Sequence, residues 1–291
     1  MTATRDPRTD AGAGVGERLH RLCGTAAAGR LAAATVPTTD IDPISLYAAA
    51  VEADLEAALW LRPSEGTAFV GIGRAWATEP EGPGRFREAE AAWRALITGA
   101  SLDRPADVAR GAGPVLLGAM GFTGRRPAAD DAWAPFGASS LVLPALILAQ
   151  SPAGTTVTAS IILPADASPD ANAEASPADA TRDARALERR WSSLVERARD
   201  LAPSPSGMVA RPVFAPLTVA EEQPTREEFQ RLVGQFSGAV GRGRIDKVVL
   251  ARRVGMRSPV ELDVANALRR LAVSAPESTT YAFRRDGRTF L

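Results

Sequence analysis

Several residue types that carry chemistry are nearly absent from this sequence of 291 residues. One cysteine, Cys23, excludes an internal disulfide, and one histidine, His20, excludes a metal site with two histidine ligands. Because His20 lies in the polar stretch ERLHRLCG, a Ser-His-Asp triad is only formally possible, and a structural role is preferred. With so little cysteine, we expect a cytoplasmic protein.

Long apolar runs and a dominant charge are also missing. No apolar run reaches the roughly 18 residues that a membrane helix needs, and MTATRDPRTDAGAGVG lacks the apolar core of a signal peptide. Acidic and basic residues balance at 34 each, so no net field attracts nucleic acid or an anionic membrane. We expect a soluble protein with neither kind of partner, acting on a small neutral or anionic ligand.

Lysine is the scarcest cation. Of the 34 basic residues, Lys247 is the only lysine, and it lies in the stretch RGRIDKVVLARR. A guanidinium cannot lose its proton in a protein, whereas an ammonium can be tuned to do so. Three interpretations of Lys247 stay open at this stage: proton chemistry, a snorkelling residue at a strand end, or a chance survivor of an arginine-biased composition.

Hydrophobic periodicity predicts several amphipathic helices. Asp42-Pro43 is a start signal for the first of them, Trp93 belongs to the buried face of the second, and Thr225 and Glu228 form a capping box for the fourth. The predicted helices span 45–60, 85–97, 187–201, 224–240 and 262–272.

Apolar, β-branched runs bounded by glycine and proline predict strands of a largely buried sheet. SPAG is a hairpin-length turn between two of them, Pro144 indicates an edge or a bulge, and Asp286-Gly287 is a strong hairpin signal. Alternation along the strand at 245–254 would separate Lys247 from Arg252, which we interpret as a structural partner on the opposite face. The predicted strands span 67–73, 113–122, 139–150, 155–164, 245–254, 279–285 and 288–291.

The organisation expected from these patterns has four parts. Residues 1–34 are predicted to be a flexible tail, 35–164 a sheet and helix region, 165–184 a low-complexity surface loop rich in Ala, Asp, Pro and Ser, and 185–291 a further region of helices and strands. The last predicted strand is short and has an unpaired apolar end, so we expect a chain cut short at its C-terminus.

Two common ligand-binding motifs are disfavoured. GIGRAW, residues 71–76, follows a strand but lacks the third glycine of a dinucleotide loop, and a P-loop is excluded because Lys247 follows Asp246 instead of a glycine. The arginines around Lys247 could form a nucleic-acid patch, but strand alternation divides them between two faces and no aromatic residues interleave.

The stretch IDKVVLARR, preceded by EEFQRLVGQFSGAV and followed by ALRRLAVSAPESTTYAFRRDGRTFL, resembles the chorismate-binding enzymes, and among them the isochorismate synthases most closely. FVGIGRAWA, GPVLLGAMGF and DAWAPFGASSLVLPALIL resemble segments of the N-terminal sheet of the same enzymes. The resemblance runs from about residue 40 to the end of the chain. It implies an α+β fold with large, mostly antiparallel sheets flanked by helices, incomplete in this chain. It also implies that residues 185–291 are the N-terminal part of the chorismate-binding catalytic domain.

The resemblance also implies a function. Isochorismate synthases convert chorismate to isochorismate with Mg²⁺, and Lys247 matches the strand lysine that activates the water added at C2 while the C4 hydroxyl leaves. The general-acid glutamate and the Mg²⁺ ligands of the family are expected beyond Leu291, so we expect this chain alone to lack activity. The complete protein is expected to be a monomer.

Two alternatives remain open. A salicylate synthase of the same family would share the lysine but go on to eliminate pyruvate, and a non-catalytic remnant would bind a partner through its exposed sheet edge. Whether the product feeds menaquinone or siderophore biosynthesis is left undecided by these patterns.

Overall fold

The computed structural model describes residues 14–27, 29–105, 111–163, 177–203 and 216–291. The described chain forms two compact units, a larger one from Met1–Gly207 with Ala265–Leu291 and a smaller one from Met208–Val264. The domain boundaries predicted at residues 34, 164 and 184 remain predictions. The low-complexity loop predicted at 165–184 lies largely outside the described residues, and its last part is helical.

The helices begin and end as follows: α1 (Val15–Cys23), α2 (Pro43–Glu52), α3 (Arg85–Ile97), α4 (Pro177–Asp200), α5 (Arg226–Gly241) and α6 (Val264–Ser274). The strands are β1 (Leu31–Pro37), β2 (Ala57–Arg62), β3 (Thr67–Ile72), β4 (Trp76–Thr78), β5 (Ser101–Asp103), β6 (Leu117–Met120), β7 (Ser139–Leu143), β8 (Leu146–Ser151), β9 (Gly154–Ile162), β10 (Thr218–Gln223), β11 (Arg253–Arg257), β12 (Thr280–Arg285) and β13 (Arg288–Phe290). Within the described ranges, no helix has the length and apolar character needed to cross a membrane.

The larger unit is organised around an eight-stranded sheet in the order β13-β12-β2-β3-β8-β9-β1-β5. All neighbours in it are antiparallel except β1 and β5. Leu146, Ile147 and Leu148 are all buried, so β8 is covered on both faces. The predicted α+β fold with a large, mostly antiparallel sheet is confirmed.

Helices α1, α2 and α4 pack together, with α1 also against β1 and α2 against β2 and β3. The amphipathic pattern predicted after residue 187 is confirmed, because Leu187, Trp191 and Leu194 are all buried. Asp42 caps α2 as its start signal predicted, accepting a hydrogen bond from the Ser45 N–H at 2.8 Å.

Helix α3 and a second, three-stranded sheet, in the order β4-β7-β6, also belong to the larger unit. Trp93 on α3 packs against a buried cluster that includes Leu31 of β1 and Leu143 of β7, as its predicted core position requires. Pro144 separates β7 from β8 where a single strand was predicted, and the chain passes there from the small sheet into the large one.

The structure differs from the sequence predictions in two places of the larger unit. Helix α1 and the first part of β1 lie within the expected tail, because Val15, Leu19 and Cys23 share one buried helix face and the alanine-rich β1 is buried on both sides, so it shows no alternation. The predicted helix over 45–60 ends at Glu52, and its second half is the strand β2, which is alternately buried and half-buried.

The smaller unit consists of α5 and a ribbon of β10 and β11. The capping box is confirmed, since the Thr225 hydroxyl accepts from the Glu228 N–H at 3.2 Å and the Glu228 carboxylate accepts from the Thr225 N–H at 3.0 Å. No residue of α5 is buried, although its apolar face was predicted to pack.

Candidate functional site

Lys247 lies in an irregular segment between α5 and β11, and its side chain is exposed. The strand predicted over 245–254 is wrong for most of its length, because only Arg253–Arg257 is extended and paired. Its partner β10 reaches no further than Gln223, opposite Arg253, so residues 245–252 have no neighbouring strand. Val249 is 81% exposed, which shows that no covered face enforces alternation here.

The segment that carries Lys247 is fixed at its two ends. At one end the Arg244 N–H donates to the Ala239 carbonyl at 3.0 Å. At the other end the Arg252 Nε donates to the Pro224 carbonyl at 3.3 Å. Within the part of the chain that the structure describes, residues 245–251 make no hydrogen bond or ion pair, so Lys247 has no structural partner.

Arg252 also forms an ion pair with Glu222 of β10, with 2.7 Å between Nη2 and Oε2. The same Glu222 oxygen accepts from the Arg226 N–H at 3.1 Å, in the first turn of α5. The Arg252 hydrogen bond lowers the pKa of the Glu222 carboxyl below its ordinary value, and the Arg226 N–H adds to this effect. Arg252 therefore has a structural role, as expected, but not on the opposite face of a strand from Lys247, because residues 245–252 form no strand.

The larger unit contains a cavity of about 930 Å³. Aromatic side chains form much of its wall, and Trp133 and Phe290 meet edge to face with 4.8 Å between ring centroids. Glycines of β6 and its following turn, Gly118 and Gly121, form another part of the wall. The aromatic lining residues are Trp60, Phe122, Trp133, Phe136, Tyr281, Phe283 and Phe290.

A chain of paired charges closes one side of this cavity. Arg285 donates to Glu56 at 3.0 Å, to Glu79 at 2.6 Å and to the Pro135 carbonyl at 3.0 Å. Glu56 also accepts two hydrogen bonds from Arg74, at 2.8 and 2.9 Å. Because each carboxylate is matched by a guanidinium, this network holds β2, β12 and the adjoining loops together and leaves no free charge.

Arg125 is the exception among the cavity's cations. Arg126 pairs with Glu81 and Arg284 with Asp54, whereas the Arg125 guanidinium has no partner among the described residues. A cavity of this volume with aromatic walls and one free guanidinium can hold a small molecule that carries a negative charge.

A magnesium site does not fit the residues that the structure describes. Mg²⁺ prefers carboxylate oxygens and water in octahedral geometry. Across the described ranges, no group of three or more His, Cys, Asp or Glu side chains is placed to hold a metal ion. Glu56, which lines the cavity, and Glu79, which shares Arg285 with it, are already bound to arginines.

Sequence reasoning missed the cavity and its charge network. Glu56, Glu79 and Arg285 share no motif or period, because the pairing of β2 with β12 brings them together from distant parts of the chain. The one available signal was indirect: Arg285 ends a strand that begins TTYAF, and a charged residue in such a strand needs a partner when buried.

Comparison with known proteins identifies the family of this chain. The sequence profile described as "Chorismate binding enzyme" matches residues 17–291. The chain therefore belongs to the chorismate-binding enzymes, and the family expected from the IDKVVLARR stretch is confirmed.

One solved structure with this fold is MenF, the menaquinone-specific isochorismate synthase from Escherichia coli. The two chains superpose with a TM-score of 0.54 at 17% sequence identity, over 94% of this chain and 52% of the MenF chain. The present chain thus spans about half the length of MenF, and at this identity the likeness shows a shared fold. No curated protein sequence matches the chain significantly.

Proposed function

We propose that the protein is an isochorismate synthase, which converts chorismate to isochorismate, with Lys247 as the general base. Membership of the chorismate-binding family supports the substrate class, and the fold shared with MenF supports the branch of the family. The proposal includes the Mg²⁺ dependence that the family resemblance implies; the described residues contain no group of three or more side chains placed to hold the ion.

The observation that carries the assignment of Lys247 is its lack of a structural role. The chain meets every other need for a cation with arginine, yet Lys247 is exposed and has no ion pair or hydrogen bond in the described chain. A salt-bridging or snorkelling lysine would contact a carboxylate or an apolar surface. The snorkelling interpretation of Lys247 is therefore weaker in the structure than in the sequence. An exposed lysine without partners fits the chance interpretation as well as it fits a base, and the experiments below decide between the two.

The chemistry requires a base that can be neutral when it acts. One water loses a proton to the base and adds to C2 of the ring, the double bonds shift, and the C4 hydroxyl leaves with a proton as a second water. One water enters and one leaves, so the product is an isomer of the substrate. An amine can accept the proton of the attacking water, whereas a guanidinium stays protonated.

The test is turnover of chorismate by the protein expressed from its complete gene, with Mg²⁺ present and the products separated by chromatography. We expect isochorismate from the wild type and a rate lower by roughly 10²- to 10⁴-fold in Lys247→Arg, the range that general-base catalysis supplies. Arg244→Lys, a change of the same size at a neighbouring exposed cation, is the matched control and should keep full activity.

The single lysine also provides a probe that does not depend on turnover. Reductive methylation with ¹³C-formaldehyde labels only Lys247 and the N-terminal amine, and Lys247→Arg identifies the lysine signal. Chorismate should shift the Lys247 signal in the wild type. Normal turnover by a folded Lys247→Arg protein, with folding checked by circular dichroism, would refute the proposal, and release of pyruvate would show a salicylate synthase instead.

A further inference from the structure

We propose that Arg252 and Glu222 form a positioning pair that fixes the segment carrying Lys247 against the start of α5. The inference rests on the proposed role of Lys247 and extends it to two residues that contact each other and the start of α5. Neither residue is a catalytic group under this proposal, because both act through the lysine.

The contacts of Arg252 join three parts of the smaller unit. Its Nε donates to the Pro224 carbonyl, just before α5, and its Nη2 pairs with Glu222 at the end of β10. Glu222 in turn accepts from the Arg226 N–H in the first turn of α5. One guanidinium thus links the irregular segment, the ribbon and the helix start.

Arg252 directly follows the segment that carries Lys247, so its contacts influence where the lysine is held. Residues 245–251 make no hydrogen bond of their own within the described chain, so the placement of Lys247 depends on the two flanking anchors. The anchor at Arg244 is a single backbone bond, whereas the one at Arg252 is a charge-assisted side-chain pair with a second hydrogen bond. Loss of the Arg252 anchor leaves the lysine at the end of a longer free segment.

A neighbouring pair that joins β10 and β11 serves as a natural control. Arg253 pairs with Glu221 at 2.9 Å, but the two side chains are 53% and 60% exposed, against 23% and 27% for Arg252 and Glu222. An exposed pair contributes little, because solvent competes for both partners. The two pairs therefore separate the positioning of Lys247 from the general stability of the ribbon.

The experiment compares Glu222→Gln and Arg252→Gln with Glu221→Gln and Arg253→Gln, and with the charge-exchanged double variant Glu222→Arg/Arg252→Glu. Turnover of chorismate by the full protein and the linewidth of the ¹³C-dimethylated Lys247 signal are measured for each. For the Glu222 and Arg252 single variants we expect kcat to fall about 10- to 100-fold with little change in KM, because misplacement of a catalytic group by 1 Å can cost about 10²-fold. Their Lys247 signal should narrow, because the segment that carries the lysine would move more freely without the Arg252 anchor.

The control pair should leave kcat and linewidth unchanged, and the double variant should recover part of both. Unchanged kcat and linewidth in Glu222→Gln and Arg252→Gln would overturn the proposal, as would equal losses in the control pair. Thermal unfolding of each variant shows whether a loss of activity comes from misfolding of the protein or from misplacement of Lys247. If Lys247→Arg keeps full activity, the proposed function fails, while the linewidths still decide whether the pair orders Lys247.

Discussion

Gly118 lies on β6 where this strand closely approaches β7, and both strands line one wall of the cavity. A Cβ atom at this position would overlap the Ser140 carbonyl oxygen and lie 2.9 Å from the Leu141 Cα. Both contacts are closer than the roughly 3.5 Å at which non-bonded carbon atoms begin to pack, and both neighbours are backbone atoms of β7 that cannot rotate away. Gly118→Ala must therefore push β6 away from β7.

The expected cost follows from that geometry. Overpacking a core by small groups costs typically about 1–3 kcal/mol. In Gly118→Ala, the movement of β6 that removes the clash also weakens the hydrogen bonds between β6 and β7. We expect Gly118→Ala to lower the free energy of unfolding by about 3 kcal/mol. The matched control is Gly234→Ala in α5, where a Cβ meets nothing within 4 Å and the helix should gain about 0.5–1 kcal/mol.

Urea unfolding followed by tryptophan fluorescence measures the Gly118→Ala change, because all five tryptophans lie in the larger unit, and far-UV circular dichroism follows the α5 helix in Gly234→Ala. Trp76, which pairs with Leu143 on the other side of β7, reports on the small sheet. A Gly118→Ala midpoint within error of the wild type would refute the close approach of β6 and β7. A loss of stability in Gly234→Ala would show that the alanine itself, and not its contacts, is responsible.

Two further predictions concern a helix start and a buried thiol. Thr225→Ala should destabilise α5 by about 1 kcal/mol, measured by urea unfolding, because it removes the hydroxyl that accepts from the Glu228 N–H; an unchanged midpoint would contradict the capping box. Burial raises the pKa of Cys23 to about 11 from 9.0, so the folded state holds the proton more tightly than the unfolded state does. Stability from this source should be complete below pH 9 and disappear as the pH rises through about 11, and a Cys23→Ala variant should lack that decline. Native Cys23 should also react slowly with thiol reagents near neutral pH until urea unfolds the chain; fast reaction would mean that it is accessible.

Local signals predicted much of this fold because their physical causes are local. Thr225 with Glu228 marks a helix start, and Asp286-Gly287 forms the predicted tight turn with both residues in the left-handed region. Helix α4 follows from the spacing of residues such as Leu187 and Trp191, because one helix face is buried whatever covers it.

The remaining differences come from the surroundings of a segment. Strand β2 was predicted as helix, since AALWL satisfies both periods and only its pairing with β3 and β12 decides between them. The predicted strand at Lys247 fails for the converse reason, because no neighbouring strand accompanies it. The contacts of Arg285 with Glu56 and Glu79 depend on the same long-range pairing, which no local pattern encodes.

The pairing of β2 with β12 also has a consequence during protein synthesis. Trp60 lies opposite Tyr281, so β2 leaves the ribosome long before its partner strand has been translated. Until then one edge of the growing sheet presents unsatisfied backbone donors and acceptors, beside the apolar side chains of Leu59 and Leu61. The nascent chain should therefore depend on chaperones until β12 is made, and faster translation of the intervening codons should shorten the period in which it can aggregate.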